Sequence, residues 1–310
     1  MTANLMSYSD FNTHLLAQIR REFSPDYDIH IERILKNNSI QLDALMICAP
    51  DCNLTPNIYL NYYYERYQKG SSFACILEEV LDCYRKRRSD SPFDADRFRD
   101  FAYIRKHLVF RLLNREDNRN LLADVPHIDF LDLAIVFSIL LKDEAERCAS
   151  VLIHKNHLPS WGNPTAEDLL AIAESNSPRL LPHCFRPLSD FLREEAPAAC
   201  PDDSRSAEPP LFVLCNRARL YGAASVLYPG LLSGIAAQLS SDLIVIPSSI
   251  HEVLLTPYDR LMDPVRLNEM VVQVNTTQVP KEDILSDHVY YFDRRRGVLG
   301  LDPPAEAPAS

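Results

Sequence analysis

The residues of this chain that could do chemistry lie in a few short polar clusters. The most suggestive is Ile246-Pro247-Ser248-Ser249-Ile250-His251-Glu252, which sets two hydroxyls beside an imidazole and a carboxylate. These are the groups a serine hydrolase uses as nucleophile, base and orienting acid. If the stretch is a strand, Ser249 and His251 share one face and Glu252 takes the other. Glu252 then cannot orient His251, and the acid must come from elsewhere, with Asp287 and Asp242 as candidates. No Gly-x-Ser-x-Gly elbow occurs in the chain to expose a nucleophilic serine. We therefore expect a turn: Pro247 ends one strand, Ser248 and Ser249 bond local backbone, and His251 opens the return strand.

A second cluster is His127-x-Asp129-x-x-Asp132, with His154 and His157 further on. One imidazole and two carboxylates suit a ligand or a borderline metal, but the spacing matches no known metal motif, so no metal is expected. A third, Ser286-Asp287-His288, precedes the apolar run VYYF and reads as a strand entry. Phosphate chemistry has no support. Only seven glycines occur, and neither the Walker pattern nor Gly-x-Gly-x-x-Gly is present, so no cofactor is expected.

The elements that must position these groups can be traced along the chain. Phe11, Leu15, Ile19 and Phe23 recur at four-residue steps behind Ser9, a possible N-cap, which predicts an amphipathic helix. The β-rich runs YDIHIERIL and IQLDALMI flank Lys36-Asn37-Asn38-Ser39 and predict a hairpin, because Asn tolerates the positive φ of a tight turn. Phe73, Ile76, Leu77, Val80, Leu81 and Tyr84 mark a helix after Ser72. Before it, Leu60, Tyr63, Tyr64 and Tyr67 form a stripe that we assign to half-buried packing rather than base stacking.

Further on, residues 103–113 read as a strand and NREDNRNLL as a short helix. VPHIDFLDLAIVFSILLK reads as an entry loop with a long apolar strand, and ASVLIHK as a second strand; the nearly unbroken runs at 133–141 and 150–153 suggest central positions in a sheet. Thr165 and Asp168 resemble a capping box, and another helix should cover 188–195. Beyond Leu211, the pattern predicts a strand, two helices over YGAASVLY and PGLLSGIAAQLSS, strands at DLIVIP and HEVLLTP, a helix and a last strand at HVYYF. The helix has Asp263 as N-cap and Pro264 at its first position, with Leu267, Met270, Val271 and Val274 on its inner face.

Composition bounds the function. The chain has 310 residues, 46% hydrophobic and 24% charged, ample for a soluble globular core. Its formal net charge of −11 repels a phosphate backbone, so nucleic acid is an improbable partner. The basic runs Arg85-Lys86-Arg87-Arg88 and Arg294-Arg295-Arg296 read as solvated surface, the first complementing a helix C-terminus. No apolar stretch suits a membrane span and the N-terminal residues lack a secretory signal, so a cytoplasmic protein with no membrane partner is expected. The eight cysteines contain no Cys-x-x-Cys pair and read as reduced packing residues.

The segments NNSIQLDALMI, NIYLNYYYERYQKG, VPHIDFLDLAIVF, LYGAASVLYPGLL, IPSSIHEVLL, LNEMVVQVNTTQV and LSDHVYYFD, in that order, resemble an uncharacterised bacterial family catalogued as a domain of unknown function, family 5688, common in gut anaerobes. The resemblance runs from about residue 9 to 295 and implies an intracellular bacterial protein. It carries no activity and no functional residues.

The expected architecture is α+β, with mixed or antiparallel sheets and packed helices in two lobes. One lobe spans residues 1–195 and the other 211–296, joined by a Pro-, Ser- and Asp-rich linker at 196–210 and followed by a disordered tail at 297–310. The expected function is a binding module that holds a protein partner or small ligand between the lobes. A hydrolase using Ser249, His251 and Asp287 is the rival, and nucleic-acid association through residues 85–88 a third reading. His127, Asp129 and Asp132 are the candidate ligand-binding set.

Overall fold

The computed structural model describes residues 5–50, 52, 55–88, 95–142, 148–195 and 210–304. It is α+β, and every strand pairing among these residues is antiparallel. The chain forms two compact units, one of Met1–Lys36 with Ile40–Asp96, the other of Asn37–Ser39 with Arg97–Ser310.

The first unit contains α1 (Tyr8–Glu22), β1 (Asp28–Leu35), β2 (Gln41–Cys48), β3 (Ile58–Tyr59), α2 (Leu60–Gln68) and α3 (Phe73–Arg87). The periodic Phe11, Leu15 and Ile19 are buried as expected, but the N-cap is Ser7, whose Oγ accepts from Asp10 N, and not Ser9. That choice adds a half-turn and places Asp10 in the first turn, where the helix dipole favours it. In α3, Ser72 Oγ caps Cys75 N, while Ile76, Val80, Leu81 and Tyr84 pack inward. The tyrosines of α2 are packing residues: Tyr64 and Tyr67 lie against Phe11, and Tyr64 OH donates to Met6 O.

The second unit holds α4 (Phe101–His107), β4 (Leu108–Asn114), α5 (Arg119–Asp124), β5 (His127–Phe130), β6 (Leu133–Lys142), β7 (Cys148–Leu152), α6 (Ala166–Leu180), β8 (His183–Pro187), α7 (Leu188–Glu195), β9 (Phe212–Asn216), α8 (Leu231–Leu239), β10 (Leu243–Pro247), β11 (Val253–Pro257), α9 (Pro264–Thr277), β12 (Tyr290–Asp293) and β13 (Val298–Gly300). Residues 103–113 are therefore not one strand. Asp100 caps α4 through Ala102 N, Phe101, Ile104 and Leu108 follow a helical step, and the strand begins only at Leu108. The expected loop before Leu133 is in part a strand as well: β5 folds back on β6 through a turn in which Leu131 takes φ 55°.

β6 is the centre of one sheet. β4 lies on one side of it, while β5 and β7 share the other, pairing with its first and second halves. β7 is thus a half-buried margin strand rather than a central one. The free edge of β4 is closed by α6: Ser177 Oγ accepts from Phe110 N and Asn176 Nδ2 donates to Leu108 O. The Thr165–Asp168 capping box starts that helix as expected.

The second sheet runs β13-β12-β10-β11-β9-β8. Its inner face and one face of the β6 sheet meet in a single core that includes Phe110, Phe137, Leu214, Val245, Leu255 and Phe292. β8 and β9 pair with each other, so the segments on either side of residues 196–209 share one sheet and one unit; the compact units divide at 96/97 instead. Residues 196–209 themselves lie outside the described residues, as do 305–310. Part of the expected tail is ordered, because Val298–Gly300 extends the sheet as β13. α9 covers the other face, with Val271 and Leu267 against Ile244 and Tyr291. Met270 and Val274 point outward, contrary to the expected inner face, because Asn275 takes the buried position beside Val271.

Candidate functional site

The connection between β10 and β11 is a closed polar turn. Residues 248–252 lie outside both strands, so the alternation that separated Glu252 from its neighbours does not apply. Ser249 N donates to Glu252 O at 3.1 Å, and the Glu252 carboxylate folds back to accept from Ser249 Oγ at 3.0 Å and Ser248 Oγ at 3.3 Å. Ser249 Oγ in turn accepts from His251 N at 3.0 Å. The serine is thus spent on its own turn.

His251 points the other way. Its Nδ1 accepts from Tyr221 N at 3.2 Å, its ring stacks on Tyr221, and Nε2 lies 3.6 Å from Asp283 Oδ1. An N–H aimed at Nδ1 makes that nitrogen the acceptor and leaves the proton on Nε2, facing Asp283. Neither nitrogen is left to take a proton from Ser249. The same region is tightly built: a Cβ on Gly222 would come within 2.4 Å of His251 O and 2.6 Å of Asn216 N. Ile250 N donates to Asp283 O and Ala223 N to Ile250 O, so the turn pins the 3-10 segments Gly222–Leu227 and Lys281–Asp283.

The two acids proposed as partners are elsewhere. Asp242 accepts from Arg294 N, and Asp287 accepts from Asn275 Nδ2 at 2.8 Å. Asp283 was not legible as the partner; the only signal is Pro280 ahead of Lys281-Glu282-Asp283, which marks a helical start and nothing more.

Of the His127, Asp129 and Asp132 set, the first two approach each other, Nε2 to Oδ1 at 3.9 Å, but Asp132 does not join them. His127 Nδ1 donates to Val125 O, Asp129 pairs with Arg115 at 3.3 Å, and Asp132 accepts from Ser286 Oγ at 2.6 Å and Tyr290 OH at 2.8 Å. The structure thus joins Asp132 to the third cluster as a clamp between the β5–β6 turn and the entry to β12. Burial, reinforced by the Asp132 charge, pushes the Tyr290 hydroxyl far above the usual phenol value, so it remains a donor. His154 Nδ1 meets Asp124 at 2.6 Å, and the His154 backbone N–H donates to His157 Nδ1. Burial holds His157 below the usual imidazole range, with His154 adding to the effect. Among the described residues no group of three His, Cys, Asp or Glu side chains is placed to hold a metal.

The backbone also uses polar side chains as pins at Asn38, which adopts φ 56° as the turn chemistry requires. Within the second unit it exchanges hydrogen bonds with Asn118 and donates through Nδ2 to Lys281 O and Ile284 O. The basic runs are surface features: α3 ends in Arg85, Lys86 and Arg87, with Arg85 paired to Asp82, and the Arg294-Arg295-Arg296 backbone forms the β12–β13 turn around Asp242 and Asp293.

Two open grooves are formed by the second unit. One, of about 510 Å³, is lined by residues including Arg115, Arg119, His127, Asp129 and Lys155. Its charges are largely consumed: Arg115 pairs with Asp129, Arg119 with Glu116, and Lys155 Nζ donates to Ala123 O. The other, of about 550 Å³, is lined by Val265, Asn268, Glu269, Val272, Asp287 and His288. Val265 and Val272 are two turns apart on one flank of α9 and 64% and 43% exposed. Each groove is drawn from one stretch of chain, 115–155 or 265–288, and neither joins the segments flanking 196–209.

Fold and site together define an α+β protein of antiparallel sheets whose apparent catalytic clusters are internal fastenings. The chain belongs to the Family of unknown function (DUF5688), whose model matches residues 8–294. No curated protein and no solved structure matches it. No helix among the described residues is long and apolar enough to cross a membrane.

Proposed function

We propose that this is a non-catalytic binding protein of the bacterial cytoplasm, and that it docks a segment of a protein partner in the groove along α9. The observation that carries this reading is the pairing of exposed apolar side chains with acids that have no cation partner among the described residues. Of eleven exposed large apolar residues described, five (Leu261, Val265, Met270, Val272 and Val274) fall within residues 261–274. Of these, Val265 and Val272 line the groove, and exposed apolar surface in a groove is costly unless it is used. Glu269 stands between Val265 and Val272, and Asp287 faces them; among the described residues neither has a cation partner. A segment with a lysine or arginine flanked by aliphatic side chains satisfies both features. The seven cysteines among the described residues are free thiols, as suits a reducing compartment. The hydrolase alternative would require His251 to give up the Tyr221 N–H.

The test is fluorescence anisotropy with short labelled peptides that differ in one residue, Leu-Val-Arg-Leu against Leu-Val-Glu-Leu as the central motif. The arginine peptide should bind the native chain at least tenfold better, and Glu269→Gln with Asp287→Asn should remove most of that preference. Equal binding of the two peptides, or binding untouched by Val272→Lys, would reject the groove as the docking site.

A further inference from the structure

Cys184 and Cys215 are directly opposed in the β8–β9 pair. Leu188 N donates to Leu211 O and Arg217 N to Pro182 O, the outer rungs of the same ladder. Hydrogen-bonded pairs recur at every second position of an antiparallel ladder, so Cys184 and Cys215 occupy one, with Cα atoms about 5.5 Å apart and both side chains on one face. That separation lies inside the range of roughly 4.4–6.8 Å that a disulfide spans. The Cys184 side chain lies close enough to add to the rise of the Cys215 thiol pKa, and both thiols are free. Cys184 is half-buried on the edge strand of the sheet, whereas Cys215 is buried. Two cysteines facing each other across one ladder rung, one of them reachable from solvent, are arranged as an attacking and a resolving thiol.

We propose that Cys184 and Cys215 form a reversible dithiol–disulfide site that exchanges with small disulfides. The Cys184 thiolate attacks one sulfur of a small disulfide, breaking its S–S bond, releasing one small thiolate and leaving a mixed disulfide on Cys184. Cys215 loses its proton to solvent and attacks the Cys184 sulfur, forming the Cys184–Cys215 bond and expelling the second small thiolate. The two cysteines are oxidised, the small disulfide is reduced to two thiols, and no other reactant is consumed.

Reversibility follows from the ladder position. At a hydrogen-bonded pair the Cβ atoms stand nearer 5.5 Å, while a relaxed disulfide wants them at about 3.8 Å, so closure must draw the strands together and the bond is the more easily reduced. Burial pushes the Cys215 thiol up to about 11, which makes resolution the slow step near neutral pH and faster as pH rises. The bond would tie β8, and α7 which follows it directly, to β9 across residues 196–209.

The experiment incubates the native chain with mixtures of oxidised and reduced glutathione, quenches by alkylation and maps the digest by mass spectrometry. A Cys184–Cys215 peptide, about 2 Da lighter than the two thiols, should form and disappear as reduced glutathione is raised, and should form several-fold faster at pH 8.5 than at pH 7. Cys215→Ser should stall as glutathione on Cys184, and Cys184→Ser should leave Cys215 unmodified, with circular dichroism confirming that both variants fold. The proposal is overturned if wild type accumulates glutathione on Cys184 without the cross-link, if either cysteine links elsewhere in the native chain, or if the bond resists excess reduced glutathione.

Discussion

The turn at residues 248–252 and the groove along α9 belong to the same unit and contrast in nearly every respect. The turn is rich in reactive residue types, yet each polar group in it has a partner: Ser248 and Ser249 with Glu252, and His251 with Tyr221 and Asp283. The groove is chemically plain, made of valines, an asparagine, two carboxylates and a histidine, and leaves its valines exposed and its acids without a cation among the described residues. What distinguishes a site able to take a ligand is unspent interaction capacity. A satisfied cluster contributes stability, and an unsatisfied surface contributes binding.

That contrast breaks most sharply at Gly222. Its substitution by alanine forces a Cβ against two backbone atoms that cannot move independently, so we expect Gly222→Ala to cost about 4 kcal/mol or more and to leave little soluble protein on expression. Asp132→Ala comes next, since it strands Ser286 Oγ and Tyr290 OH away from water. A loss of about 2–4 kcal/mol in urea unfolding is expected, and Tyr290→Phe, which removes only one donor, should cost less. A smaller loss than that of Tyr290→Phe would show that Asp132 is no clamp.

His251→Ala should cost about 1–3 kcal/mol, a fall of several degrees in melting temperature. Fluorophosphonate should leave Ser249 unlabelled in the wild type. Labelling of wild type that vanishes in both Ser249→Ala and His251→Ala, with unchanged melting, would turn the turn into an active site. The groove variants sharpen the comparison from the other side. Val265→Ser with Val272→Ser should change stability by no more than about 0.5 kcal/mol while weakening peptide binding. The smallest expected effect is on the acid limb of stability. His157 has a folded pKa below the unfolded value, so as pH falls below about 6.5 the unfolded chain takes up a proton that the folded chain refuses. Stability drops through that window, and His157→Gln should flatten the drop in melting temperature between pH 7 and pH 5.

Local features of the fold were legible along the chain because their causes are local. Ser72 and the Thr165–Asp168 box start helices, Asp263 and Pro264 start α9, and Asn38 supplies the positive φ of its turn, each through bonds within a few residues. Where periods compete, the reading failed: residues 101–108 are apolar enough for a strand, yet the cap at Asp100 decides for a helix up to Leu108.

The sequence by itself determined the α+β class, most of the helix starts and the first hairpin, because composition and short-range spacing set these. Only the tertiary structure decided what the polar clusters do. The partner of His251 is Asp283, and the partners of Asp132 are Ser286 and Tyr290, more than 150 positions away along the chain. Chain packing alone brings such groups within 4 Å or leaves them apart. It likewise turned Val265 and Val272 to solvent, because the inner face of a helix is set by the sheet it meets and not by its own pattern.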